Sequence, residues 1–499
     1  MKIFDTKNIR EADKITISNQ KITSVQLMER ASFEVYLWLK KNFADKETTF
    51  HIFCGQGNNG GDGLVVARLL KEDNYQVIVD IIEDAGKPTP EFTAALEALR
   101  KTGLSYNDQG AYDYERGKLI FIDAIFGIGL NRDLQESVVQ VIDKINHHNG
   151  QVISIDAPSG LYMDRPTQIA VRSDTVLTFH FPKLAFYLPG NSEFINKIEI
   201  LDIGIDKDFI TSLTTDYHLV NPKFAGRRYR PVKPHAHKGT QGHALIVGGS
   251  YGKIGAVCLA AKAALKSGCG LVTAYLPECG YTVMQLTFPE AMALTDGDKQ
   301  ITKISFDFEP KAIGLGPGIG QHPDTQQAIH DFLKIASVPM VIDADALNIL
   351  SYNKEWLTLL PARTILTPHP KELERLIGNW VNDFDKLEKI RAFSKQYNII
   401  VVAKDAHTMI IDGATVYINS TGNAALATGG TGDTLTGIIT GLIAQGYEPV
   451  NAAIFGVYLH GLTADIAVTE TSYQAFTATD VINYLGKAYL AIEALLAKK

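Results

Sequence analysis

The sequence predicts an α/β protein built as two three-layer α/β/α domains. Three observations lead there. Short apolar runs alternate with helical stretches from residue 48 onward, the pattern of a mostly parallel sheet covered by helices. The alternation weakens at 205–240, a Thr-rich, then basic stretch containing Pro222, Pro231 and Pro234, which reads as an inter-domain connection. The length, 499 residues, exceeds the roughly 250–300 residues that one hydrophobic core organises, so at least two cores are expected.

In order along the chain, Ile9, Ala12, Ile15 and Thr16 predict a helix over 5–17. Val25, Leu27, Met28, Ala31, Val35 and Leu39 predict a second over 24–42, with Ser24 at its N-cap. Strands follow at 48–54, 76–82, 118–123, 151–156, 174–179 and 197–202. The second series places strands at 243–248, 271–276, 312–316, 339–343, 364–367, 399–403, 408–411 and 415–419. Its helices fill 254–267, 323–336, 371–377, 383–397, 433–445, 449–468 and 477–497. No tandem repeat or low-complexity tract is visible.

A composition of 45% hydrophobic and 21% charged residues suits a globular chain and excludes a disordered or collagen-like one. No stretch approaches the ~20 uncharged apolar residues of a membrane span, and the start lacks a secretory apolar core. A cytoplasmic protein with no membrane partner is expected. The net charge of −7 argues against nucleic-acid binding. The cluster Arg227, Arg228, Arg230, Lys233, Lys238 reads as a solvated linker. Cys54, Cys258, Cys269 and Cys279 lack metal or disulfide spacing and read as buried or half-buried thiols.

In the first half, the strand at 48–54 runs into Gly55-Gln-Gly57-Asn-Asn-Gly60-Gly-Asp62-Gly63 and an apolar helix from Leu64. Glycines let backbone N–H groups approach a phosphate at a helix N-terminus, and Asp80, twenty residues after Gly60, stands where a ribose hydroxyl would be read. Tight strand-to-helix turns need glycine too, but Asn58, Asn59 and Asp62 add amides and a carboxylate to the loop. Two further strands end in Ile122-Asp123-Ala124 and Ile155-Asp156-Ala157. Acids at strand carboxyl ends converge on one crevice; each could also cap the loop that follows it.

These segments, Gly57–Gly63, Asp123–Leu130 and Ser154–Gly160, resemble the NAD(P)H-hydrate epimerase family over roughly residues 1–215. The resemblance implies a Rossmann-like domain interconverting the two epimers of the hydrated nicotinamide ring. It implies that Asn58, Asn59, Gly60, Gly61 and Asp62, the run Gly127, Ile128, Gly129, Leu130, Asn131, Arg132 and Asp133, and Asp156 contact substrate, and that Asn59, Asp123 and Ser159 hold potassium, a cation suited by hard oxygen ligands. Asp156 is the candidate acid/base.

In the second half, Thr428-Gly-Gly-Thr-Gly-Asp433 opens an apolar helix. Gly429, Gly430, Thr431 and Gly432 would aim N–H groups at a transferring phosphoryl group, with Asp433 in reach of a hydroxyl to be deprotonated. Helix capping alone would not need three glycines in four residues. No Walker loop occurs.

The turn resembles the ribokinase-like superfamily. With Lys238–Ser250, Gly314–Gly320, Asp343–Leu347, Thr367–Pro370 and Lys404–Thr408, it is similar to the ADP/ATP-dependent NAD(P)H-hydrate dehydratases over roughly 225–499. The resemblance implies phosphorylation of the ring hydroxyl and loss of phosphate, with Asp433 as base and Mg²⁺ accompanying ADP. Ala256, Gly318 and His369 would line the substrate side. Lys404, Asp405, Ala406, His407 and Thr408 would bind nucleotide with Gly430, Thr431 and Gly432. Asp405 stands where the family carries glycine, and its charge would repel a phosphate unless turned away or bridged by metal. Asp343 and Asp345 either help order Mg²⁺ or cap the helix that follows. Both halves in this order imply one chain acting on NADHX and NADPHX with ADP or ATP, as a homo-oligomer. The rival is a hydroxymethylpyrimidine- or pyridoxal-type kinase fused to a non-catalytic Rossmann-like scaffold. It accounts for the glycine–aspartate turn but not for 55–63, 123–130 and 154–160.

Overall fold

The structure, a computed structural model, describes residues 1–83, 87–107 and 118–497. They form two compact units, Lys2–Thr215 and Asp216–Lys499, the second including Met1.

In the first unit, strands β1 (Thr49–Cys54), β2 (Gln76–Ile81), β3 (Leu119–Ala124), β4 (Gln151–Ile155), β5 (Thr175–Phe179) and β6 (Ile198–Leu201) form one all-parallel sheet, in the order β2-β1-β3-β4-β5-β6. Its helices are α1 (Thr6–Gln20), α2 (Ser24–Asn42), α3 (Asn58–Glu72), α4 (Pro90–Arg100), α5 (Glu136–Asn146) and α6 (Lys207–Ser212). Strand alternation sorts the residues into layers. Phe50, Ile52, Ile120 and Ile122 pack with α2, α3 and α4; Phe53, Phe121 and Val152 pack with α5. The sheet is therefore covered on both faces, which is why its strands read as continuous apolar runs. α1 and α2 join Phe181, Ile203 and Ile205 in a third cluster through Ile9, Ala12, Leu27 and Ala31.

In the second unit, the strands are β7 (Tyr217–Val220), β8 (His243–Val247), β9 (Leu271–Leu276), β10 (Met292–Thr295), β11 (Ala312–Leu315), β12 (Met340–Ile342), β13 (Ile365–Leu366), β14 (Ile400–Ala403), β15 (Met409–Asp412) and β16 (Thr415–Asn419). They form one ten-stranded sheet, β10-β9-β8-β11-β12-β13-β14-β15-β16-β7, parallel except along β14-β15-β16. The helices are α7 (Pro222–Gly226), α8 (Ile254–Lys266), α9 (Tyr281–Thr287), α10 (Pro323–Leu333), α11 (Asp345–Tyr352), α12 (Pro370–Ile377), α13 (Asp383–Tyr397), α14 (Thr431–Ala444), α15 (Pro449–Ala467) and α16 (Ala478–Ala497). The helix α14 is the hub, buried along nearly its whole length. It can lie against α8 because a Cβ at Gly437 or Gly441 would fall 2.1 Å from Ala260 O or 2.4 Å from Ala264 O.

Several sequence expectations are corrected. The stretch 205–240 is not a bare linker: β7 within it pairs in parallel with β16 and closes one sheet edge. Its basic cluster is not wholly solvated, since Arg228 lies 3.9 Å over the Phe224 ring and Arg230 4.7 Å over Tyr447. The sequence reading lacks α4 and α5, each of which buries three residues against the sheet. One helix among the described residues, α15, reaches span length with mean hydropathy 1.2, and 72% of that window is buried inside the protein. All four cysteines are free, two buried and two half-buried, as expected.

Candidate active sites

The first site forms where β1 gives way to β3, so that the loops after these neighbouring strands part to opposite sides and leave a crevice. A cavity of about 750 Å³ opens there. Helix α3 starts at Asn58, so the asparagines occupy its first turn rather than a free loop. Gly60 is required by that turn: a Cβ would stand 1.7 Å from Gly55 O. Asn58, Asn59, Asp62, Gly127, Ile128, Gly129, Leu130, Asn131, Arg132 and Asp156 all line the cavity. Gly60 and Gly61 sit behind the wall, Gly61 against the Met28 side chain, and Asp133 stays 96% exposed beside Arg165. Asp80 is not among the cavity residues and pairs with His51 at 2.9 Å.

Asp156 follows β4 with φ +63°, a left-handed conformation that costs a non-glycine residue energy and recurs at functional sites. Its carboxylate accepts from the Lys183 ammonium at 3.1 Å and from Ile128 N at 3.0 Å. Lys183 is 4% exposed and donates also to Thr178 Oγ1 and Phe179 O. Asp123 is buried beneath the crevice, accepting from Ser154 Oγ, from Ser159 N and Oγ and from Ile125 N. Burial works to raise it, against those hydrogen bonds, and leaves it above the ordinary carboxylate range. Asp62 is also pushed well up by burial, against a 2.9 Å bond from Ser32 Oγ. Charged cavity residues that escape the sequence motifs include Arg10, Asp13, Lys87, Glu91 and Lys183. A lysine inside the apolar run 179–188 was the one available signal.

The second site surrounds the start of α14. Helix α14 begins at Thr431 rather than at Asp433. The turn before it is stapled by Thr431 Oγ1 donating to Leu426 O and Thr428 O. From α15, His460 donates Nε2–H to Thr431 O at 2.9 Å, and burial lowers that imidazole to about 4, so it is neutral. Asp433 is raised to about 7, chiefly by burial, with Asp343 adding repulsion and Lys404 opposing it. Lys404 Nζ lies 2.8 Å from Asp343 Oδ1 and 4.0 Å from Glu372. A Cβ on Gly432 would stand 3.4 Å from that ammonium. Glu372 is raised to about 7 by burial. Sequence reasoning missed it, because only its neighbours mark it.

Asp343 accepts from Lys404 and from Thr436 Oγ1. Burial works to raise it, and the Lys404 charge overrides this and holds it below the usual carboxylate range. Asp345 accepts from Lys253, Gln321 and Gly320 N. Neither side chain caps α11, whose N-cap is Ala344 with no side-chain bond, so the capping alternative is set aside. His369 is the N-cap of α12, its Nδ1 accepting from Lys371 N at 3.2 Å, while Glu372 answers to the His369 amide. Gly318, at φ +63°, would bring a Cβ within 3.0 Å of the Ala256 Cβ, so those two residues adjoin. Residues Asp405, Ala406 and His407 turn between β14 and β15, and Thr408 Oγ1 donates to Asp405 O. The Asp405 carboxylate turns to Lys386 Nζ at 3.3 Å and to its neighbour's amide, Ala406 N, at 2.9 Å. Gly430, at φ +90°, is pressed against Leu259.

Comparison with known proteins supplies the family. Residues 24–185 match the YjeF-related protein N-terminus, and residues 244–487 match the NAD(P)H-hydrate dehydratase family. The bifunctional NAD(P)H-hydrate repair enzyme of Moorella thermoacetica is 33% identical over 97% of this chain and 96% of its own. That of Dictyoglomus turgidum is 31% identical over the whole of both chains. A solved ADP/ATP-dependent NAD(P)H-hydrate dehydratase from Bacillus subtilis, co-crystallised with ATP and Mg²⁺, is similar at TM-score 0.49 and 31% identity, covering 56% of this chain and 100% of that one. Identity at this level over the full length places the chain in a family: it belongs to the bifunctional NAD(P)H-hydrate repair enzymes, epimerase and dehydratase in one polypeptide.

Proposed function

We propose that the unit Lys2–Thr215 interconverts the R and S hydrates of NADH and NADPH, and that the unit Asp216–Lys499 dehydrates the S form with ADP or ATP. The observation that supports this most is Asp433. A carboxyl raised to about 7 in the first turn of a glycine-opened helix can take a hydroxyl proton near neutral pH. Gly430–Gly432 and the Lys404 ammonium then face the phosphoryl group as it transfers. Phosphate departs from the ring carbon with the electron pair of its carbon–oxygen bond, the neighbouring ring carbon gives up a proton, and the dihydronicotinamide double bond returns. Ala256, Gly318 and His369 flank the ring. Lys404–Thr408 hold the nucleotide, and Mg²⁺ enters with it as MgADP.

In the first unit Asp156 carries a proton at the ring carbinol. Asn58, Asn59, Asp62 and Gly127–Arg132 surround the substrate. The potassium reading is supported by Asn59: it is 8% exposed, and neither amide atom has a partner among the described residues. With Asp123 and Ser159 it forms an oxygen-rich set suited to a hard monovalent cation. That cation would supply fixed positive charge beneath the loop. We assign the protein to the cytosol, as a homo-oligomer.

The test is the full chain with R and S hydrates, MgADP and potassium, followed by recovery of dihydronicotinamide absorbance. Asp433→Asn is expected to abolish recovery from either hydrate. Asp156→Asn is expected to leave S recovery intact and slow R to the spontaneous rate. A stable phosphorylated product with no recovery would favour the kinase reading.

A further inference from the structure

We propose that Asp13 on α1 is the second catalytic group of the first site, exchanging a proton with the ring nitrogen while Asp156 exchanges one with the ring hydroxyl. The proposal rests on the epimerase reading above. Helix α1 lies outside the matched segment 24–185.

The chemistry demands two groups. The hydrated ring carries its hydroxyl on a carbon bonded to nitrogen, so its configuration inverts by opening and reclosing that bond. On opening, Asp156 takes the hydroxyl proton and the freed O–H pair forms the second carbon–oxygen bond. The carbon–nitrogen bond breaks with its electron pair passing to nitrogen, and Asp13 gives that nitrogen a proton. The open form is an aldehyde joined to an enamine N–H. Rotation about the carbon–carbon bond beside the aldehyde presents its other face. Nitrogen then re-adds, its proton returns to Asp13, and the proton on Asp156 goes to oxygen. Nothing is oxidised or reduced, and only the configuration changes. One carboxyl cannot serve both ends of the breaking bond at once.

Among the described residues the cavity holds four carboxyls, Asp13, Asp62, Glu91 and Asp156. Asp156 is held as an acceptor by Lys183 and Ile128 N. Asp62 is occupied by Ser32 and only 8% exposed. Of Asp13 and Glu91, Asp13 is the one near enough to Asp156 and Lys183 to feel their charges, and it reaches the cavity from a different element, with Arg10 a turn earlier on the same helix. Burial and the Asp156 charge raise Asp13 to about 6, against the pull of Lys183. A carboxyl raised in this way is suited to give a proton, beside an ion-paired carboxylate placed to accept one.

The test uses the full chain with mixed hydrates and excess MgADP. S is consumed first, and the slow second phase reports R-to-S conversion. Asp13→Asn keeps the side chain's size, and its kcat for R is expected to fall about 100-fold or more, with KM and the S phase within about threefold. Asp13→Glu is expected to restore at least about a tenth of the rate, which a purely structural role would not produce. Asp13→Asn with R turnover within about threefold of the parent, or a loss confined to KM, overturns the proposal. A parent chain that does not accelerate R conversion above the spontaneous rate overturns the epimerase reading instead.

Discussion

Lys404 Nζ stands 2.8 Å from Asp343 Oδ1, across 61 residues of sequence and within a site where Asp343 is 1% exposed. The pair fixes the ammonium that lies beside Gly432. Buried ion pairs contribute little net stability, but breaking one strands a charge. Asp343→Asn is therefore expected to lower dehydration kcat by about 10- to 100-fold and to destabilise the chain by roughly 3 kcal/mol, read by steady-state kinetics and denaturant unfolding. Unchanged kinetics would show that Lys404 positions itself.

The raised Asp433 predicts two effects with opposite signs. As a base it works ionised, so the S-hydrate rate should climb with pH through about 7. A carboxyl whose folded value exceeds its unfolded one holds its proton more tightly when folded, so stability falls as pH rises from the unfolded value toward about 7. Asp433→Asn should then abolish catalysis while raising the unfolding midpoint by a few degrees above neutral pH. A lowered midpoint would contradict the burial argument.

Asp405 and Lys386 make a prediction testable by a double-mutant cycle. Because the carboxylate faces Lys386, Asp405→Gly should leave nucleotide KM within about threefold. Lys386→Ala frees the charge and should raise that KM about tenfold, and adding Asp405→Gly should reverse most of the rise. Equal effects in both backgrounds would mean the two side chains are not coupled.

Lys183 is expected to matter through Asp156. Lys183→Met leaves a largely buried carboxylate without its countercharge, which costs roughly 3–5 kcal/mol, and should slow R-hydrate conversion. Lys183→Arg should recover part of the rate. Potassium exchange for a bulky organic cation should slow the same conversion and spare S dehydration. A rate insensitive to the cation would remove Asn59, Asp123 and Ser159 from that role.

The α/β class was legible because strand alternation and glycine turns are local signals. The six strands of the first unit fall where the apolar runs stand, and Asp123 and Asp156 were visible because acids at strand carboxyl ends face the crevice where ligands bind. By contrast α4, α5 and β10 were not read, and β10 is a four-residue strand with no residue fully buried, which leaves little local signal.

The candidate sites divide along the same line. Glycines and strand-end acids were readable in the sequence because turn geometry and strand termination are encoded within a few residues. Partners and protonation were decided only by the tertiary structure. Asp405 beside Lys386, Asp343 beside Lys404, Asp156 beside Lys183 and Asp13 in the cavity wall are all long-range placements. The charge state of a carboxyl follows from what surrounds it and how much water reaches it. Asp433 has the same side chain as any aspartate in the sequence, and only burial against Asp343 and Lys404 sets it near 7.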